Sequence, residues 1–377
     1  MLSARSPFLL LPLPTMLRGM ALCLLMISLK IATTMASDDP LIESSTTTLR
    51  DGEEKCWIFT HLQKCGGSTV KRILTQSFGP QFTTYDSLQW KRGDEPTRKF
   101  QERLSGGAAW HVVAGGYTEA LRRSADITAT TAGATTCDFF TLFRHPISRM
   151  VSAYFYCRVY ATDVACASEI VRARDADLLT FAKHWSNFGL RQFALDFVPA
   201  DDVMAYMQTP EAMALLPESI EDLKQVSGWY LLKLFLERPE AQASGVGSEQ
   251  MGITTTTDQQ AAQQEEQQVP DAQLYEFLEP VQNLIREGFA AVGIIEEWNT
   301  TLALFDNALD MPGVDWRKQY AEEGSINVFG RNQQLKAETL EKAWTDAELK
   351  KYMRLDLLLY EHAVDVFHEQ VHSYGLP

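Results

Sequence analysis

Three times in this chain a short apolar, β-rich run stops at a glycine pair or a proline. "CWIFTHLQKCGGSTVKRIL" (56–74), "WHVVAGGY" (110–117) and "CDFFTLFRHPISRMVSAYFY" (137–156) share that punctuation. In the first and third, helical spacing follows; Val70, Ile73 and Leu74 fall on one face. Strands alternating with helices predict a parallel sheet of α/β type, because parallel neighbours need a crossover, usually a helix, between them. Ligands of such sheets sit beyond the carboxyl ends of the strands. The two most unusual loops of this sequence lie there.

The first loop is "HLQKCGGST" (61–69). The amides of Cys65, Gly66, Gly67, Ser68 and Thr69 would turn toward a helix N-terminus, where backbone donors and the helix dipole attract an anion. Two glycines permit close backbone approach. Ser68 and Thr69 add hydroxyls or cap the helix. Lys64 supplies a full charge. A nucleoside-triphosphate loop places its lysine after the glycines, as G-x-x-x-x-G-K-[ST]. Here Lys64 precedes them. A kinase-like phosphotransferase is thus the lesser alternative.

The second loop opens with Arg144 at a strand end, where a guanidinium can grip a phosphate with two parallel hydrogen bonds. Pro146 suits a first helical position. Ser152 follows nearly two turns later.

The order Lys64, Gly66, Gly67, Ser68, Thr69 resembles the 5′-phosphosulfate loop of the Golgi carbohydrate sulfotransferases, close to P-K-T-G-G-T-[ST]. Gln63 and Cys65 depart from it. Arg144, Pro146, Arg149, Ser152 and Tyr154 resemble that family's 3′-phosphate motif, with His145 in place of an acidic or amide residue. Their spacing is closest to the heparan, or uronosyl, 2-O-sulfotransferase branch. Shorter similarities follow in "SNFGLRQFA" (186–194), "VGIIEEWNTTLALF" (292–305) and "LDLLLYEHAVDVFHEQV" (355–371).

The resemblance implies a P-loop-like, three-layer α/β fold with a central parallel sheet flanked by helices. It also implies transfer of a sulfuryl group from 3′-phosphoadenosine 5′-phosphosulfate to a glycan hydroxyl, without a metal. Lys64 would stabilise the leaving phosphate. Lys64, Cys65, Gly66, Gly67, Ser68, Thr69, Arg144 and Ser152 would hold the donor. Many relatives carry a G-H-[FY] histidine on the second strand; here Gly116 aligns with it. The candidates for the base are therefore His111, His61 and Glu119, in that order, with His145 and His184 behind them. Absence of a base would leave a nucleotide- or glycan-binding member that does not turn over.

The acceptor side is less specific. An anionic polysaccharide would need basic residues; Lys71 and Arg72, Arg122 and Arg123, Arg149, and Arg172 and Arg174 are the candidates. The formal net charge of −15 argues against nucleic acid as a partner. The sequence carries no zinc-spaced His/Cys cluster.

Residues 8–36 are largely apolar, broken by Arg18 and Lys30. They read as a signal anchor or a cleaved signal peptide within a 1–36 leader. Both place the remainder in a secretory lumen; the anchored form would be a single-pass type II Golgi protein and the cleaved form secreted. There disulfides are permitted, and Cys157 and Cys166, nine apart, could close a small loop. Five lumenal cysteines leave at least one thiol unpaired. Cys65, inside the donor loop, is the one whose oxidation or alkylation would matter. Asn299-Thr300-Thr301 is a glycosylation sequon. Residues 37–54 read as a stem, 55–377 as the sulfotransferase domain, and the Gln- and Thr-rich 239–272 as a disordered insertion within it.

Overall fold

The computed structural model describes residues 55–79, 82–84, 110–115, 137–160, 166, 173–195, 197–198, 200–216, 228–236, 238, 272–323 and 333–377. The leader, the stem, Gly116, Glu119 and all of the 239–272 insertion except Ala272 lie outside them. The described residues fall within one compact unit, Leu49–Pro377.

Five strands, β1 (Lys55–Thr60), β2 (Phe82–Thr84), β3 (Trp110–Gly115), β4 (Cys137–Phe143) and β5 (Ala291–Ile294), form one sheet in the order β2-β3-β1-β4-β5. All four pairings are parallel, as the strand–loop–helix grammar predicts. After β1 the chain fills one flank of the sheet with β2 and β3, then crosses to build the other with β4 and β5. The direction of winding reverses between β1 and β4, and that is where a parallel sheet opens a crevice for a ligand. The loops that leave the carboxyl ends of β1 and β4 carry Lys64 and Arg144.

Two helices descend from these loops: α1 (Gly67–Phe78) from β1 and α2 (Pro146–Val159) from β4. Helix α1 buries Val70, Ile73 and Leu74, the face its spacing predicts. Helix α2 is buried nearly all round, including Arg149 and Ser152. The chain continues through α3 (Leu178–His184), α4 (Phe188–Ala194), α5 (Ala200–Met207), α6 (Pro210–Met213) and α7 (Gly228–Leu236). Beyond the insertion come α8 (Leu278–Gly288), α9 (Trp298–Ala308) and α10 (Trp316–Glu323). The terminal region comprises three helices: α11 (Gln333–Thr345), α12 (Ala347–Tyr352) and α13 (Arg354–Ser373). Asp346 makes the first break, because its carboxylate accepts the Leu349 amide at 3.0 Å and caps α12.

The aromatic content of the strands supplies the core. Phe140 of β4 packs on Phe59 of β1, Phe305 of α9 and Trp316 of α10, at ring-centroid distances of 5.1, 5.4 and 5.9 Å. Burying such a side chain contributes on the order of 1.5–3 kcal/mol. The indole of Trp57 donates to the Leu309 carbonyl at 2.8 Å, tying β1 to the segment after α9.

Cys157 and Cys166 are disulfide-bonded, the pairing their spacing allowed. Cys137 is also in a disulfide, and Cys65 is the free, buried thiol among the described residues. Asn299 is exposed on the first turn of α9, while Thr301 is buried. The Thr301 hydroxyl bridges the amide and carbonyl of Ile294, both at 2.9 Å. Among the described residues no helix is long and apolar enough to cross a membrane.

Candidate active site

The loop after β1 is built on two residues in the left-handed region, Lys64 at φ 64° and Gly66 at φ 75°. That backbone is costly for lysine, on the order of 1–2 kcal/mol, and free for glycine. The Cys65 amide bonds to Leu62 O at 3.3 Å, and the Thr69 and Val70 amides bond to Gly66 O at 3.0 and 3.4 Å. The expectation of five converging amides is thereby reduced. Cys65 and Thr69 spend theirs inside the turn, and Gly66, Gly67 and Ser68 hold the donors left at the helix mouth. Gly66, the N-cap of α1, offers no side chain to cover them.

Gly67 is required by space, and Gly66 chiefly by its left-handed backbone. A β-carbon on Gly67 would lie 1.9 Å from the His61 ring, and one on Gly66 would lie 2.6 Å from Ile295. His61 therefore sits directly against the start of α1. Burial, then the charges of Lys71 and Lys64, pull its pKa down to about 3. At neutral pH the ring is neutral, yet it is a weak proton acceptor, since a general base works best with a pKa near the operating pH. Its carbonyl accepts from Gln192 of α4 at 2.9 Å.

Arg144 comes to the same place from β4. Its Nη1 donates to the Lys64 carbonyl at 3.4 Å, across 80 residues of sequence. Its Nε is buried without a hydrogen-bond partner among the described residues. Lys336 of α11 lies close enough for the Arg144 charge to hold its pKa below the usual lysine range, after burial, the larger cause. Ser148, Ser152 and Tyr156 follow at four-residue spacing and so share one stripe of α2. The Lys64 ammonium rests 3.5 Å from the centroid of the Tyr156 ring, so this stripe faces the loop. Ser152, buried on it, belongs to the same wall as Lys64.

Glu296, just after β5, pins the strand end that carries Arg144. It accepts the His145 amide at 3.0 Å and the Tyr360 hydroxyl at 3.1 Å. The His145 ring packs on Trp344 at 4.0 Å, and burial followed by the Lys350 charge lowers its pKa to about 4. Sequence reasoning missed Glu296, Tyr156 and Lys336. The acidic residue of "VGIIEEW" was a legible signal for the first; the other two show only as helix positions.

Several expected roles change. Arg149, a candidate for the acceptor cleft, is buried in an ion pair with Asp356 of α13. Asp356 also accepts the Gly189 and Leu190 amides, at 3.1 and 2.8 Å. The segment "SNFGLRQFA" explains itself on that contact. Gly189 leaves room for the guanidinium, 2.7 Å from where its β-carbon would be. The Asn187 side chain accepts the Leu355 and Asp356 amides at 3.0 and 3.1 Å and caps α13. Cys65 is 1 % exposed, and its pKa is raised to about 11, chiefly by burial, so the reactive thiol expected there is protonated and shielded. His184 is buried and held neutral, with a pKa lowered to about 3 by burial, then Arg191 and Lys233. The backbone of His111 pairs with Cys56 at the amino end of β3, four residues before Gly115. That is roughly 13 Å of strand from the carboxyl edge at about 3.3 Å per residue.

At this edge the loop that holds the Gly66, Gly67 and Ser68 amides and Lys64 meets the guanidinium of Arg144. Backbone amides at a helix N-terminus and a guanidinium are groups suited to binding an anion. Among the described residues no group of His, Cys, Asp and Glu is placed to hold a metal ion. No curated protein matches the chain. Residues 49–184, which contain β1, the Lys64 loop, β4, Arg144 and α2, match the model of the Sulfotransferase family, and this supports placing the chain with the sulfotransferases.

Proposed function

We propose that the chain transfers a sulfuryl group from 3′-phosphoadenosine 5′-phosphosulfate to a hydroxyl of a glycan. The observation that carries this reading is the meeting of Arg144 with the Lys64 loop at the switch between β1 and β4. The strand order and the loop's position fit a P-loop-like, three-layer fold. The donor supplies an activated sulfuryl group and a phosphate leaving group.

The residues present suit that donor. Lys64 and the amides of Gly66, Gly67 and Ser68 hold the 5′-phosphate and stabilise the charge that grows on it as the bond to sulfur breaks. Arg144, whose Nε has an unmet donor, and Ser152 hold the 3′-phosphate. A lysine ahead of the glycines meets a single bridging phosphate and its sulfuryl group, with no magnesium-bound β/γ pair to span.

The acceptor is an anionic polysaccharide of the glycosaminoglycan kind, and the motif spacing favours uronosyl 2-O-sulfation. The apolar leader supports anchorage in the Golgi membrane with a lumenal domain. The Cys157–Cys166 disulfide supports an oxidising compartment. An exposed Asn299 in a sequon is compatible with it. Incubation of the protein with labelled phosphosulfate donor and a panel of glycans tests the reading. Label transfer that disappears in Lys64→Ala is expected; phosphate transfer from ATP overturns it.

A further inference from the structure

We propose that Tyr156 is a positioning residue for Lys64: its ring is the seat that aims the ammonium at the leaving phosphate. The inference rests on the sulfuryl-transfer reading for its purpose, but the seat is visible without a ligand. The Lys64 Nζ lies 3.5 Å from the Tyr156 centroid, a close cation–π contact.

Both ends of the contact are held. On one side, Lys64 has a fixed left-handed backbone, and its carbonyl is tied to Arg144. On the other, Tyr156 packs against Tyr160 with centroids 4.9 Å apart. The next residue, Cys157, is locked to Cys166. A lysine side chain has four rotatable bonds and loses on the order of 2 kcal/mol of conformational freedom when it is fixed. A seat that orders it beforehand removes that cost from the donor-binding step. The same stripe of α2 carries Ser152, so one rigid helix sets the lysine and the serine relative to each other.

The experiment acetylates the full chain with a hydroxysuccinimide ester and follows Lys64 by mass spectrometry. The exposed Lys342 and Lys350 serve as internal references. Loss of an exposed cation–π contact, about 0.5–1 kcal/mol, corresponds to a labelling rate about two- to fivefold higher. That rise is expected in Tyr156→Leu, and in Tyr156→Met if the leucine variant does not fold. Tyr156→Phe, which keeps the ring, is expected to label as wild type does. A Tyr156→Leu or Tyr156→Met rate equal to wild type overturns the proposal.

A second arm measures affinity for 3′-phosphoadenosine 5′-phosphate. The expected loss is about two- to fivefold in Tyr156→Leu and none beyond that of Lys64→Ala in the double variant. A Tyr156→Leu loss that persists in the Lys64→Ala background shows that Tyr156 does not act through Lys64. Wild-type protein that fails to bind this nucleotide contradicts the sulfuryl-transfer reading, and the labelling arm then decides the seat alone.

Discussion

The guanidinium of Arg144 reaches the backbone carbonyl of Lys64, 3.4 Å away, and so joins the loop after β1 to the loop after β4. Eighty residues of sequence separate the two. Their meeting at the switch point of the sheet brings two short motifs together as the proposed anion clamp. The site's charge is local: the chain as a whole carries −15, yet Lys64, Arg144 and Lys336 gather at one edge.

Gly67→Ala should displace the clamp. Its new methyl would sit 1.9 Å from the His61 ring, so either the ring or the start of α1 must move. Overpacking of this kind costs about 1–3 kcal/mol. Thermal denaturation should show the loss, and donor affinity should fall with it. A variant as stable and as tight-binding as wild type would show that the close packing of His61 on the loop is wrong.

Arg149 and Asp356 test whether Arg149 is structural, in contrast to the donor-binding role proposed for Arg144. Both are buried, at 4 % and 3 % exposure. Breaking such a pair from one side strands the other charge and costs about 3–5 kcal/mol. Asp356→Ala should therefore lower the urea midpoint sharply. The double variant Arg149→Met with Asp356→Leu should be less destabilised than Asp356→Ala. A double variant worse than Asp356→Ala would mean that the ion pair itself is a net stabiliser.

His184 and His61 predict acid sensitivity. Each is neutral in the fold, with a pKa near 3, but titrates near 6.5 when unfolded. The unfolded chain therefore binds the extra proton first. Their contribution to stability is complete above pH 6.5 and declines as pH falls from there toward 3, by up to about 1.4 kcal/mol per pH unit for each group. Melting temperatures from pH 7.5 to 4.5 check this: His184→Gln should flatten the decline, and an unchanged slope would contradict it.

Cys65 should resist alkylation. Burial raises its pKa to about 11, so almost none is thiolate at pH 8. Iodoacetamide should modify it only after unfolding in guanidinium chloride. Fast labelling of the folded protein at Cys65 would contradict the burial.

Much of this was readable before the fold. The runs that became β1, β3, β4 and β5, and the starts of α1 and α2, carry local signals: β-rich composition, glycine pairs and a proline. Strand β2 carries none; it is three residues long and exists because β3 is beside it. Arg144 was legible as a candidate phosphate ligand from its place at a strand end, and the structure brings it to the Lys64 loop. Arg149, five residues on with the same chemistry, was not separable from it. Its partner Asp356 lies 207 residues away, and nothing local distinguishes an arginine with a buried carboxylate from one without. The same holds for Tyr156, an ordinary helical aromatic until Lys64 is found above it.

The assignment of Arg144 to the 3′-phosphate is the claim on which the account depends, and calorimetry with two nucleotides tests it. 3′-Phosphoadenosine 5′-phosphate carries the group that Arg144 is held to grip, and adenosine 5′-monophosphate lacks it. The wild-type protein should prefer the first. Arg144→Ala should weaken it by about 2–4 kcal/mol and leave the second nearly unchanged, so that the preference collapses. Equal affinity of the wild-type protein for both nucleotides, or a preference that survives in Arg144→Ala, would contradict the account.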